Sequence, residues 1–216
     1  MKRDGLKKEI KVGGGLLTTC LLVAIVSGCF QANNQFYRES DIVRDKRLEG
    51  RFQEPNAQTN SSTFLSIKLG ENGHYTATFN ASRKFIRLDV VLFKCGPNLF
   101  ADIKRVADNG LNHEPAVGPS GLELLHMATQ YNTHSVVRLR FNDKGFDVGC
   151  NHGNPIYNAL QNYPYLKFRV GTKTEPLDPH QKILTNPTEE LYKFLETAGT
   201  NETVFKFGGG FERTGE

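Results

Sequence analysis

The chain of 216 residues has no tryptophan and only four cysteines. None of the cysteines form a C-x-x-C pair, so a thiolate metal site is not expected. Long apolar runs are missing too. The stretch from Leu16 to Val26 has eleven residues, which as a helix cover roughly 17 Å and fall short of a ~30 Å hydrocarbon core. Charge of one sign is scarce in the body. The formal net charge is +4, and the first fifteen residues carry +3 of it through Lys2, Arg3, Lys7, Lys8 and Lys11 against Asp4 and Glu9. A phosphate-binding surface needs clustered positive charge, so nucleic acid is not an expected partner. The signatures G-x-x-x-x-G-K-[ST], H-E-x-x-H and G-x-S-x-G are absent, which removes the common nucleotide, zinc-protease and serine-hydrolase readings. What remains, 38% hydrophobic and 10% aromatic residues, suits one sizeable globular domain.

The basic start, the short apolar run and the small residues that end it have the order of a secretory signal. The ending is more specific. Val26-Ser27-Gly28-Cys29 resembles the lipobox of bacterial lipoproteins: an aliphatic residue, two small ones and a cysteine, here with Val26 where Leu is usual. That resemblance implies a diacylglyceryl group on the Cys29 thiol, cleavage before it and acylation of the new amino terminus. Phe30, rather than Asp, after the cysteine implies by the same resemblance an address at the outer membrane, facing the periplasm. An inner-membrane or cell-surface lipoprotein is the alternative. Two or three acyl chains hold a protein durably where one does so marginally. The expected organisation is a signal peptide over 1–28, a polar, flexible spacer over 29–40 ("CFQANNQFYRES") and a β-rich domain over 41–216.

Cys20 lies in the expected leader and Cys29 is the expected lipidation site, which leaves Cys95 and Cys150. In an oxidising compartment a disulfide between them is expected, closing a loop of about 55 residues worth roughly 4 kcal/mol in the chain-entropy model. Two free buried thiols, or two half-pairs, are the alternatives.

Most of the body alternates with period two, the strand signal. In "STFLSIKLGENGHYTATFN" Leu65, Ile67 and Leu69 share a face, Asn72-Gly73 supplies a turn, and Tyr75, Ala77 and Phe79 return. A tight Asn-Gly turn accepts positive φ and favours a hairpin. "EGRFQE", "KFIRLDVVLFK", "LFADIKRV", "GLELLHMATQY", "HSVVRLRFN", "FDVGC", "YLKFRV" and "TVFKF" are the other strand candidates, and about nine strands are expected. One helix is expected in "TNPTEELYKFLETAG", with Asn186 as N-cap, Pro187 at the first position, Gly199 at the end, and Leu191, Phe194, Leu195 and Ala198 as its apolar stripe. That stripe should pack on the sheet or plug one end of a barrel. The expected fold is mainly β: a single antiparallel barrel or strongly curved sheet with one C-terminal amphipathic helix, a β-sandwich being the alternative. The order of elements resembles lipocalin-like barrels, and "RLEGRF" (Leu48, Gly50, Phe52) is similar to the G-x-W opening of that family with Phe in place of Trp.

Catalytic residues are not singled out. Ser120 of "GPSG" reads as a turn serine. His113, His152 and His180 fall in loops, His74 and His134 begin strands, and His126 sits among apolar residues. Their spacing supports neither a metal nor a cofactor. Asp143, Asp147 and the acids of "NPTEE" suit turns and capping. Arg87, Lys104, Arg138, Arg140 and Lys167 fit a cationic stripe on one sheet face, either solvated or drawn to anionic headgroups or wall polymers. The sequons at Asn60, Asn80 and Asn201 have no consequence if the bacterial origin that the lipobox resemblance implies holds. Three functions follow. The first is a lipid-anchored, non-catalytic module binding a small apolar ligand or an envelope component, which requires an apolar cavity. The second is a structural or interaction lipoprotein of envelope assembly or stress response, which requires an exposed apolar or edge-strand patch. The third is a hydrolytic enzyme with a loop-built site. Membrane contact through the acyl chains of Cys29 belongs to all three.

Overall fold

The computed structural model describes residues 30–55, 64–81, 84–106, 133–150, 159, 161–170 and 182–215. In chain order these form β1 (Phe30–Ala32), β2 (Gly50–Gln53), β3 (Phe64–Leu69), β4 (Tyr75–Ala81), β5 (Lys84–Cys95), β6 (Asn98–Arg105), β7 (His134–Phe141), β8 (Gly145–Cys150), β9 (Phe168–Val170), β10 (Lys182–Leu184), the helix α1 (Thr188–Ala198) and β11 (Lys206–Arg213).

The hairpin expected at Asn72-Gly73 forms in the register that the alternation demands. Leu65 faces Phe79, Ile67 faces Ala77 and Leu69 faces Tyr75, and Gly73 takes a φ of 84° in the turn, a conformation that costs glycine nothing. Each further strand adds antiparallel to its neighbour, and pairing of β6 with β7 closes the ring β6-β5-β4-β3-β2-β11-β8-β7. This is a closed eight-stranded antiparallel barrel, and the sandwich alternative falls. Closure satisfies edges that an open sheet would leave unpaired.

One edge of β7 is shared. Its second half, Arg138 to Phe141, pairs with β8, and its first half, His134 to Val136, pairs with β1. From that branch β1 continues to β10, in parallel, and β10 to β9. The described residues therefore hold eleven strands where about nine were expected. The additions β1 and β10 are three residues long, too short for a period to show. The expected strand "GLELLHMATQY" lies outside the described residues.

Two cores follow from the pleat. Inward residues of β5, β7 and β8 (Leu88, Val90 and Leu92; Val137 and Leu139; Phe146 and Val148) fill the barrel with Phe52, Phe79 and Phe211. Leu48, delivered by a 3-10 turn (Lys46–Leu48), joins them. Outward residues of the same wall (Val91, Phe93 and Cys95 of β5, Phe100 of β6, Val136 of β7) meet Leu191, Phe194, Leu195 and Ala198 of α1. The helix thus lies on the outer wall and does not plug an end. It begins one residue later than expected, and Asn186 is not its cap. The buried Asn186 amide instead accepts from the Lys167 N–H at 2.6 Å and donates to the Tyr165 carbonyl at 3.0 Å, tying the helix start to the segment before β9.

Residues 30–40 correct the expected spacer. Phe30 and Ala32 are buried in β1, and Phe36 and Tyr37 are buried behind them. The Phe30 ring packs edge-on against Phe194 at 4.8 Å and tilts toward Phe205 at 5.7 Å. The intervening polar residues hid this anchor, because β1 is buried on both faces and carries no alternation.

Candidate functional site

The barrel interior is the first place to look for a ligand. It encloses a cavity of about 70 Å³ between Leu65, Ala77, Leu88, Ala101, Val137 and Phe146, with no polar atom in its lining. The two alanines leave the space: each stands where its neighbours on the strand carry larger side chains. An engineered cavity of about 150 Å³ accepts benzene, and ligand pockets commonly run to about 300–1,000 Å³. The interior is therefore close to a filled core. It has the chemistry expected of an apolar ligand site and a fraction of the volume.

A second concentration of polar groups lies outside the barrel, under the N-terminal segment. Asp102 of β6 is 2% exposed. One of its oxygens lies 2.8 Å from Nδ1 of His134, and the other accepts the Phe36 N–H at 2.8 Å. His74 makes a looser pair with Asp89, at 3.2 Å. Tyr37 lies beside the first histidine pair's carboxylate and packs edge-on to the His74 ring at 6.4 Å. Burial, then the nearby Asp102 charge, pushes its phenol up to about 12. Both oxygens of Asp102 are thus engaged in holding β7 and the 30–41 segment to β6. This is a latch. Sequence reading missed it because Asp102 and His134 are 32 residues apart.

Histidine, cysteine and carboxylate side chains do not gather in groups of three or more among the described residues. Cys29, Ser120, His113, His126, His152 and His180 lie outside the described residues. Asp147 accepts from Arg140 at 3.0 Å and from the Asn142 amide at 3.2 Å, in keeping with a turn role.

The expected disulfide is not formed. Cys95 points outward at the end of β5 into the second core, and Cys150 belongs to the barrel core at the end of β8. One row across the wall reads Phe93, Phe100, Arg138, Gly149, so Cys150 stands three strands away from Cys95 and on the opposite face. Two cysteines can be bridged only when their Cβ vectors approach, which loop length does not report. Cys95 is a free thiol whose Sγ lies 3.7 Å from the Tyr192 carbonyl, and burial pushes it up to about 11.

The expected cationic stripe is broken up. Arg138 and Arg140 come together over the Phe207 ring, at 5.1 Å and 4.2 Å, while Lys167 belongs to the segment before β9. Burial holds Arg138 below its ordinary value, and its Nη1 is buried without a hydrogen-bond partner. Arg140 is paired with Asp147.

Two large apolar side chains are exposed among the described residues, Phe168 at 39% and Val170 at 49%. Both belong to β9, the last strand of the branch. A wider, mixed-charge groove lies at the opposite end of β7, where Arg47, Lys144 and Arg213 alternate with Asp143 and Glu212. Among the described residues no helix is long and apolar enough to cross a membrane. In comparisons with family models, curated proteins and solved structures, no match was found.

Proposed function

We propose that the chain is a lipid-anchored lipoprotein of the bacterial cell envelope that works by binding and not by catalysis. On this reading a rigid, nearly filled barrel is held close against the membrane and meets its partners on the outside. The seating of Phe30 carries the proposal. The acylated residue would be Cys29, one peptide bond from a ring that is 1% exposed in the second core. Consecutive Cα atoms are about 3.8 Å apart, so the acyl chains would leave the protein beside the folded wall, with no spacer between. A tether of that length fixes which side of the barrel meets the bilayer.

The address is tested on the thiol. Cys29→Ala should move the protein out of the membrane fraction and abolish incorporation of a labelled fatty acid. Wild-type protein that takes up no fatty acid and remains soluble would sink the reading.

The lining of the cavity favours a second reading, a receptor for a small apolar ligand. About 70 Å³ without a polar group suits a molecule of a few heavy atoms and not a whole lipid. Native mass spectrometry of the purified protein is the check, a co-purifying small hydrophobic molecule being the expected result.

A further inference from the structure

The edge of the branch sheet lies level with the point where the chain enters the fold. Phe30 pairs with Val136. The parallel register that sets Ala32 beside Leu184 sets Phe30 beside Lys182, and Lys182 faces Val170. One row across the sheet therefore reads Val136, Phe30, Lys182, Val170, and the next reads His134, Ala32, Leu184, Phe168. Directly paired residues share a face. The apolar face that α1 covers at Phe30, Ala32 and Leu184 thus runs on to β9, where the cover ends and Phe168 and Val170 stand in solvent. Two strand spacings, about 10 Å, separate β1 from β9.

Lysines surround this apolar edge, with Glu190 of α1 as an acidic neighbour of Tyr165. Lys182 lies with its Nζ 4.4 Å from the Phe168 ring centroid, and Lys193 of α1 reaches toward the Tyr165 ring at 5.7 Å. Lys167 is exposed, and neither β9 nor β10 contains an acidic residue. Exposed apolar side chains ringed by lysines and half-buried tyrosines have the composition of a surface that enters the headgroup layer, where apolar burial and attraction to anionic lipid add. We propose that Phe168 and Val170 dock into an anionic bilayer surface, the same surface that acylated Cys29 would reach. This surface rests on the anchor reading for its location and on β9 for its chemistry. The docked wall then leaves the barrel's opposite side facing away from the lipid.

The sequence has no tryptophan, so F168W supplies a single fluorophore at the edge, and K68W, at an exposed position of β3, supplies one elsewhere on the barrel. The full protein carrying each change is reconstituted into vesicles of phosphatidylethanolamine and phosphatidylglycerol with brominated acyl chains, and the mass of the Cys29 peptide is read from the same sample. The proposal expects several-fold stronger quenching of F168W than of K68W, a blue shift for F168W alone, and weaker quenching when phosphatidylcholine replaces phosphatidylglycerol. V170E added to F168W should abolish the quenching while the circular dichroism and cooperative melting of the domain persist. An acyl mass on Cys29 with F168W unquenched, or quenched no more than K68W, overturns the docking surface and leaves the anchor standing. Quenching of F168W without an acyl mass removes the anchor and leaves the docking surface. Equal quenching on neutral and anionic vesicles removes the lysines' part.

Discussion

Asp102 and His134 form a 2.8 Å pair across adjacent strands β6 and β7, and the second oxygen of the same carboxylate holds the amide of Phe36. A buried carboxylate is costly unless its oxygens are occupied, and here the occupants come from a neighbouring strand and from the segment that follows β1. The pair therefore makes attachment of the N-terminal segment a condition of satisfying the barrel wall.

Removing this carboxylate should loosen the segment before it loosens the barrel. Asp102→Ala leaves the Phe36 amide without its acceptor and is expected to cost about 1–3 kcal/mol, the range for a buried donor left unsatisfied. Denaturant unfolding reads the cost, and hydrogen exchange should quicken first at Phe36. An unchanged midpoint with slow exchange at that amide would mean that Asp102 holds nothing.

Phe30 is the second support of the segment. Its ring touches Phe194 and Phe205, and truncation of a buried phenylalanine costs roughly 3–5 kcal/mol. Phe30→Ala should lower stability by that order and expose residues 30–41 to limited proteolysis. A spacer, by contrast, would tolerate the change without effect on the unfolding midpoint.

The barrel was legible in the chain because its long strands are buried on one face and alternate: Leu65, Ile67 and Leu69 against Tyr75, Ala77 and Phe79 announce both the hairpin and its register. The stripe of α1 was legible for the same reason. The branch β1-β10-β9 was not, since strands of three residues show no period, and β1 is buried on both faces. Cys95 and Cys150 mark a different limit. Each ends a strand, as the pattern indicated, but the parity that turns Cys95 outward and Cys150 inward depends on which face of each strand the barrel encloses, and closure of the ring decides that. The exposed edge left a partial signal: "YLKFRV" reads as a strand, but that its Phe168 and Val170 are uncovered follows only from β9 being last in the sheet among the described residues.

The absence of a disulfide has a chemical and a pH signature. With no reductant, Cys95 and Cys150 should both take up a maleimide in denaturant, and Cys95 should resist it in the native protein. The Cys95 thiol is raised from 9.0 to about 11 by burial, so the folded state keeps a proton that the unfolded chain gives up. Stability should therefore be unaffected by this group below about pH 9 and fall as pH rises from there to about 11. Tyr37, raised to about 12, extends the decline. Cys95→Ala should flatten the first part of the decline. Denaturant midpoints measured across this range check it, and a wild-type profile that stays level to pH 11 would contradict the burial of the thiol.

The cavity separates a scaffold from a receptor. Ala101 lies on the inner face of β6 beside Leu92 and Val137, and Ala101→Val adds two carbon atoms toward a void of about 70 Å³. Cavity volume costs about 24 cal/mol per Å³ in leucine-to-alanine series, so filling part of this one should raise stability by about 1 kcal/mol, provided the valine keeps a relaxed rotamer. The two functions then predict different consequences in cells. If the barrel is a scaffold, the filled variant should fractionate with the membrane and support growth as wild type does, with a higher melting temperature. If the void receives a ligand, the same substitution should displace the co-purifying molecule and impair function although the protein is more stable. Xenon-induced shifts of the Leu88, Val137 and Leu139 methyl resonances in wild type, absent in Ala101→Val, would locate the binding site. A barrel whose methyls ignore xenon is a solid core, and its partners have to be sought on the outside wall.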